Sequence, residues 1–272
     1  MKILVIGAGG FIGRHVCAAL AAAGHEAVRA GLRPVTAWER PEAWAPLLAG
    51  MDGAVYAAGC LRDRAGSVQG LLDLLHHRAP AALADACDAA GITRLVHISA
   101  LCGGVSAYAR SKQAGEVALA GRACIVKPNL VVGPGGVSSR MLEHLGHLPW
   151  LPLPASVARC RVQPLRVEDL AAGIVAALAS PWPAASWTAV GPEAATVADW
   201  IARRRALRGS RPARHVELPD ALTRLSARIG DSVRLGPWCS TALELLAHDS
   251  AEPPTGSPLA RPLHAAMEGA WA

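Results

Sequence analysis

Lysine and tyrosine are nearly missing from this chain of 272 residues. Against 24 Arg stand only Lys2, Lys112 and Lys127, and the only phenols are Tyr56 and Tyr108. Scarcity makes coincidence informative: Tyr108 and Lys112 stand four residues apart in YARSK. Scattered at random, so few residues would give about 0.02 such pairs at one fixed spacing. Cysteine pairing is also absent. The seven cysteines form no CxxC and no metal-ligand spacing, and their number is odd, which excludes a disulfide framework or a metal site and reads as reduced thiols. No apolar run is long enough to span a bilayer, and no leader pattern precedes KILVIGAGG, so the expected compartment is the cytoplasm. A net charge of +6 and a pI near 9.2 raise nucleic acid as a partner, with RRRALRGSRPARH (203–215) as the densest basic run. That run lacks the aromatic platforms on which bases stack, so it is read as a solvated helix face plus loop and not as a nucleic-acid site. Contact with an acidic protein or an anionic lipid surface stays open for the same residues.

What is present is an alternation of strands and helices. KILVI runs into glycines, and Ile12, Val16 and Leu20 then share one helical face that closes at Gly24. EAVRAG, GAVYAAG, LVHIS and CIVKPNLVVG are strand-like, with helices expected near 80–90 and from Tyr108 onward. Between the second and third strands there is room for one helix only, so that part of the sheet should be abbreviated. The pattern implies an α/β fold: a Rossmann-type, doubly wound parallel sheet with a small C-terminal substrate lobe. The expected boundaries are 1–133 and 166–182 for the nucleotide-binding domain. Residues 134–165 and 183–272, richer in Pro and Trp, are expected to form the lobe.

GAGGFIG places Gly7, Gly10 and Gly13 after a strand and at the start of a helix, with Phe11 and Ile12 inside the same turn. Two adjacent phosphates reach backbone N–H groups at a helix N-terminus only where no side chain intervenes, so this is a dinucleotide-binding loop. A ribose-binding acid is missing where the second strand ends, in RAGLRP. Arg33, with Arg29 or Arg14, is placed to meet a 2′-phosphate instead, which favours NADP(H) over NAD(H).

At i and i+4 on a helix, Tyr108 and Lys112 share one face. The ammonium is expected to lower the phenol pKa toward the range useful for proton transfer, and to hydrogen-bond a ribose hydroxyl. Glu168 and Asp169 open an apolar helix and are read as charges favouring its dipole. His97, on an apolar strand, is read as a core histidine with its hydrogen bonds met.

GAGGFIGRHV, VYAAG, AAGITRLVHISALC, YARSKQAGE, VKPNLVVGPGG, VQPLRVEDLA and AVGPEAATVADWI together resemble the short-chain dehydrogenase/reductase superfamily. Over about residues 1–200 the chain looks like its extended or atypical NAD(P)-dependent epimerase/dehydratase branch. Within that branch it is most similar to the subset that includes a respiratory complex I accessory subunit and bacterial oxidoreductases. The resemblance implies Tyr108 as catalytic acid/base and Lys112 as the lysine that orients the nicotinamide ribose. It also implies Ala57, Ala58 and Gly59 against the adenine and ribose, and Lys127 and Pro128 at the nicotinamide end, where Lys stands for the usual Arg. The carbonyl-polarising hydroxyl is where the chain departs, because Ala100 holds its usual place. Ser99 or Ser106 is the substitute, with Ser99 counted as catalytic. The usual helix asparagine is replaced near His77, read as a structural residue.

Two functions fit these residues. One is an enzyme, an oxidoreductase or epimerase-like protein, moving hydride between NADP(H) and a carbonyl or alcohol of a small-molecule substrate. The other is a non-catalytic NADP(H)-binding structural or redox-sensing protein that docks on a protein partner or a second copy of itself.

Overall fold

The computed structural model describes residues 1–31, 37–61, 70–180, 186–233, 238–247 and 249–251. Six strands pair into one parallel sheet: β1 (Lys2–Ile6), β2 (Glu26–Ala30), β3 (Gly53–Tyr56), β4 (Leu95–Ile98), β5 (Cys124–Pro128) and β6 (Ser186–Ala189). Their spatial order is β6-β5-β4-β3-β1-β2. Among the described residues the α-helices of six residues or more, in chain order, are α1 (Phe11–Ala22), α2 (Pro41–Leu48), α3 (Ala79–Ala89), α4 (Ala107–Leu119), α5 (Val137–His147), α6 (Val167–Ala179), α7 (Val197–Leu207), α8 (Asp220–Val233) and α9 (Ser240–Leu245).

The central strands are apolar without alternation because helices cover both faces of the sheet. Ile3, Val5, Val55 and Val126 join α1 and α6 in one core, while Leu4, Ile6, Ala54 and Tyr56 join α2 and α3 in the other. Strand order reverses between β1 and β3, so the crevice beyond their carboxyl ends is the natural ligand position of this architecture. Among the described residues only β2 lies beyond β1, the abbreviation that the short 32–52 segment implied.

One segment departs from the expected division. Ser186–Ala189, assigned from sequence to the lobe, pairs with Ile125–Pro128 and is the sixth strand of the central sheet. The Pro/Trp texture around it is misleading because Trp187 is fully buried against the sheet helices. The remainder of the lobe has its own core of Leu142, Leu151, Val157, Trp200 and Ile201. A parallel ribbon of Trp150–Pro154 with Arg214–Leu218 lies beside it, and a Thr196/Asp199 capping box opens α7.

The basic run is less solvated than expected. Arg205 is buried and donates to the carbonyls of Gly146, Leu148 and Arg211. Arg203 pairs with Glu193, and both Arg204 and Arg208 pair with Glu143. Glu168 and Asp169 do sit in the first turn of α6, as expected of charges favouring its dipole.

His97 is not the satisfied core histidine that its strand suggested. It is fully buried on β4 beside the Tyr56 ring at 5.7 Å, and neither ring nitrogen has a hydrogen-bond partner among the described residues. Burial, then the Lys112 charge, lowers its pKa to about 3. Below pH 6.5 the unfolded chain therefore binds a proton that the folded chain refuses, and stability falls with pH toward 3. His97→Leu removes two unpaired polar atoms. It is expected to raise the unfolding free energy at neutral pH by about 1 kcal/mol and to flatten the acid limb, as read by urea titrations at several pH values.

Candidate active site

Three loops meet at the crevice. After β1 the chain turns at Gly7 with φ +80°, where a Cβ would stand 2.8 Å from the Ala57 and Ala58 backbones. A Cβ on Gly13 would stand 2.2 Å from the Gly7 carbonyl oxygen. The glycine loop, the Ala57–Gly59 segment and the first turn of α1 therefore touch backbone to backbone, as a diphosphate cradle requires. Gly10 caps α1, its first turn carries no acidic side chain, and the space over Gly9 is open. These residues fit a dinucleotide.

The arginines considered for the adenine end divide. Arg29 donates to the Ala8 carbonyl beside the glycine loop at 3.2 Å. Arg14 instead donates to the Pro134 carbonyl at 2.7 Å and stacks on Phe11, which places it away from the end of β2. Arg33 lies outside the described residues.

Tyr108 and Lys112 stand on α4, whose first turn is capped by the Ser106 hydroxyl accepting from the Ala109 N–H at 3.2 Å. Glu244 takes the N–H groups of Val105 and Ser106, both at 2.9 Å, and ties the C-terminal segment to this start. Ser106 thus serves as the N-cap of α4. Lys112 is buried, and its Nζ donates to the Ile98 carbonyl at 3.1 Å, its only hydrogen bond among the described residues. Two N–H donors are left for a ligand. A Cβ on Gly59 would lie 3.7 Å from Nζ, so the Ala57–Gly59 turn sits against this lysine.

Electrostatics here differ from expectation. Burial, and then the Cys102 and Cys60 thiols, push the Tyr108 phenol up rather than down. Burial lowers Lys112 to about 8, partly opposed by Cys102, Glu116 and Cys60. Desolvation is the largest influence on both groups, so without a ligand the phenol keeps its proton.

The residue in the place expected of His77 is its neighbour. Leu74–Arg78 is a π-turn, and it directs His76 inward while His77 pairs with Asp73 at 2.9 Å. His76 Nε2 accepts from the Cys60 N–H at 3.2 Å, which leaves Nδ1 to donate to the Ser111 hydroxyl at 2.9 Å. Ser111 in turn donates to the Tyr108 carbonyl at 2.8 Å. Burial lowers the His76 pKa to about 2, so it works as a neutral ring. It also stands edge-on to Tyr108, with ring centroids 5.3 Å apart. Periodicity alone could not distinguish His76 from His77, since one π-turn shifts the helical frame.

Ser99 is buried, and its hydroxyl donates to Glu116 Oε1 at 2.6 Å. The other oxygen of Glu116 pairs with Lys127 Nζ at 2.8 Å. Lys127, unexplained as a substitute for arginine, thus has a partner on α4 one turn beyond Lys112. Glu116 was missed from sequence because only the fold brings β4, β5 and α4 together at this point.

Phe11, Ile12, Ser99, Tyr108 and Pro128 line one cavity of about 350 Å³. Leu101, Leu130, Val131, Val137, Val162, Leu245 and Leu246 add apolar wall, Asn129, Ser138 and Ser250 add polar groups, and no Lys, Arg or His lines it among the described residues. Among the described residues no group of His, Cys, Asp and Glu is arranged to hold a metal ion.

With this geometry in view, comparison identifies the class. Residues 3–185 match the NAD dependent epimerase/dehydratase family, and the chain belongs to that family. Over 200 residues it is 32% identical to the ceramide reductase of Caulobacter vibrioides, a match that spans 66% of this chain and 61% of that relative. Among solved structures it is similar to MoeE5 in complex with UDP-glucose and NAD, with TM-score 0.63 and 20% identity over 80% of this chain and 85% of that one. A short-chain dehydrogenase/reductase superfamily protein from Agrobacterium tumefaciens with bound NAD aligns with TM-score 0.65 and 21% identity, covering 80% and 86%. The dTDP-glucose 4,6-dehydratase of Bacillus anthracis in complex with NAD aligns with TM-score 0.65 and 14% identity, covering 81% and 86%. At these identities the solved structures establish the fold.

The approach of α4 to the π-turn runs through Gly115, where a Cβ would stand 1.9 Å from the His76 carbonyl oxygen. Gly115→Ala is expected to push α4 outward and lower stability by about 1–3 kcal/mol, read as a drop in Tm. An unchanged Tm would mean that this packing is looser than described.

Proposed function

We propose that the chain is an NADP(H)-dependent oxidoreductase that reduces the carbonyl group of an apolar small molecule, with Tyr108 as proton donor. The observation that carries this reading is Tyr108 lining a largely apolar cavity with no cationic side chain among the described residues of its wall, beside a lysine with donors to spare. A nucleotide-sugar substrate brings a diphosphate, which needs cations or helix N-termini to bind it. A wall mostly of Leu, Val, Ile, Phe and Pro, with Ser99, Asn129, Ser138 and Ser250 as its polar groups, suits a substrate with a hydrocarbon chain instead. The similarity to a ceramide reductase supports the same direction.

Gly7, Gly10 and Gly13 would hold the diphosphate, Phe11 and Ile12 the start of the nicotinamide path, Ala57–Gly59 the adenosine ribose, and Lys112 the nicotinamide ribose. Bound in this way, the reduced cofactor supplies the hydride. Tyr108 is protonated at neutral pH and gives its proton to the substrate oxygen as charge develops there, which suits reduction better than oxidation. Lys112 stabilises the phenolate left behind. Ser99, whose proton is committed to Glu116, positions α4 against β4 and leaves Tyr108 as the donor to the carbonyl oxygen. Lys127 holds Glu116 in place, and Pro128 shapes the cavity wall. The 2′-phosphate preference rests on the carboxylate-free end of β2 and the Arg29 guanidinium beside the glycine loop.

With an apolar ketone and NADPH, Tyr108→Phe is expected to lower kcat by at least about a hundredfold while leaving NADPH affinity within about threefold. Ser99→Ala is expected to cost less than Tyr108→Phe, and equal losses would return Ser99 to a direct role. Because Lys112 titrates at about 8 in the free protein, kcat/KM for reduction should fall as pH rises through that value. A flat profile from pH 7 to 10 would separate Lys112 from the chemistry. The commitment of the Ser99 hydroxyl also favours a second reading, a non-catalytic NADP(H)-binding sensor. Bound nucleotide that survives purification and exchanges slowly against excess NADPH, with no turnover of any ketone, would decide for that reading.

A further inference from the structure

Helix α8 presents its faces in the reverse of the order usual for a surface helix. Its buried side is made of Thr223 and Ala227, with Ser226 and Gly230 half-buried beside them. Its large apolar residues point outward: Leu222, Leu225, Ile229 and Val233 are each 54–55% exposed. Their spacing of three, four and four residues aligns them in one stripe along the helix. Arg224 and Arg228 emerge exposed on the flank of that stripe and form no ion pair among the described residues.

The ribbon that feeds α8 continues this character. Trp150 and Val216 are exposed on it, and the Arg214 guanidinium lies 5.2 Å from the centre of the Trp150 ring. Residues 203–233 contain eight Arg against Glu217, Asp220 and Asp231, five of the six net positive charges of the chain. An apolar stripe edged by long cationic side chains is the arrangement that lies in the plane of a lipid headgroup layer, with the arginines reaching to phosphates.

We propose that α8, with the Trp150/Arg214 ribbon, docks the protein on an anionic lipid surface. Charge complementarity selects this occupant: unpaired arginines beside exposed leucines match lipid phosphates above acyl chains. Among the described residues no helix is long and apolar enough to cross a membrane, so the attachment is peripheral. Position adds a functional reason. α8 packs on α9, and Leu245 and Leu246 at the end of α9 line the cavity that contains Tyr108. Docking through α8 therefore brings that cavity to the lipid boundary, where an apolar substrate resides; this last step rests on the function proposed above, whereas the docking itself does not.

The test is cosedimentation of the full chain with phosphatidylcholine vesicles, with and without phosphatidylglycerol. The expected result is binding to the phosphatidylglycerol vesicles that weakens with salt. Leu225→Ser/Ile229→Ser, with an unchanged circular dichroism spectrum, should weaken it by about tenfold or more. Arg224→Gln/Arg228→Gln should abolish the preference for phosphatidylglycerol. Wild-type protein that stays in the supernatant, or a serine variant that binds as well as wild type, would overturn the proposal. So would a dimer in light scattering that the serine variant dissociates without any vesicle binding, since the stripe would then cover a second copy. None of these outcomes depends on turnover, so a failed activity assay leaves the docking result standing.

Discussion

The crevice depends on backbones that approach one another where a single methyl group would keep them apart. Gly7 lies against Ala57 and Ala58, Gly13 against Gly7, and Gly115 against the carbonyl of His76. The first two contacts bring the amino end of α1 up to the reversal point of the sheet. The third sets α4, and with it Tyr108 and Lys112, at the same opening. Hydrogen bonds then lock the rotation of α4: Cys60 to His76, His76 to Ser111, and Ser111 to the Tyr108 carbonyl form one chain between two elements. Every member of that chain is satisfied, so it rigidifies the site without leaving a buried polar group unpaired.

Charge is distributed with similar economy. Glu116 joins β4 through Ser99 and β5 through Lys127, one helical turn from Lys112. Its carboxylate helps keep the buried Lys112 charged despite desolvation. His76 and His97 stay neutral nearby, and so add no like charge to that ammonium.

In the lobe, apolar and cationic surfaces are separated in an unusual way. The cavity has no cation in its wall among the described residues, while Arg214, Arg224 and Arg228 stand exposed on and beside α8. Part of the basic run is structural, since Arg205 ties three carbonyls together and Arg204 and Arg208 share Glu143. The arginines left over are those beside the exposed leucines.

Much of the central domain could be read from local pattern, because apolar runs, glycine turns and helical spacing are consequences of nearest neighbours along the chain. The parallel sheet, the glycine loop, the abbreviated second half and the Tyr108/Lys112 helix are all of this kind. What the chain could not declare by itself depends on contacts distant in sequence. Ser186–Ala189 belongs to the sheet because of pairing with β5, not because of its own composition. His76 rather than His77 faces Tyr108 because a π-turn shifts the frame by one residue. The phenol is raised rather than lowered because of burial, a property of the whole fold, and then the Cys102 and Cys60 thiols brought beside it. The sequence by itself determined which elements form and which chemistry they carry. Tertiary structure decided which of those groups meet, which are dry, and therefore which protonation state each one holds, since desolvation and pairing exist only once the chain is packed.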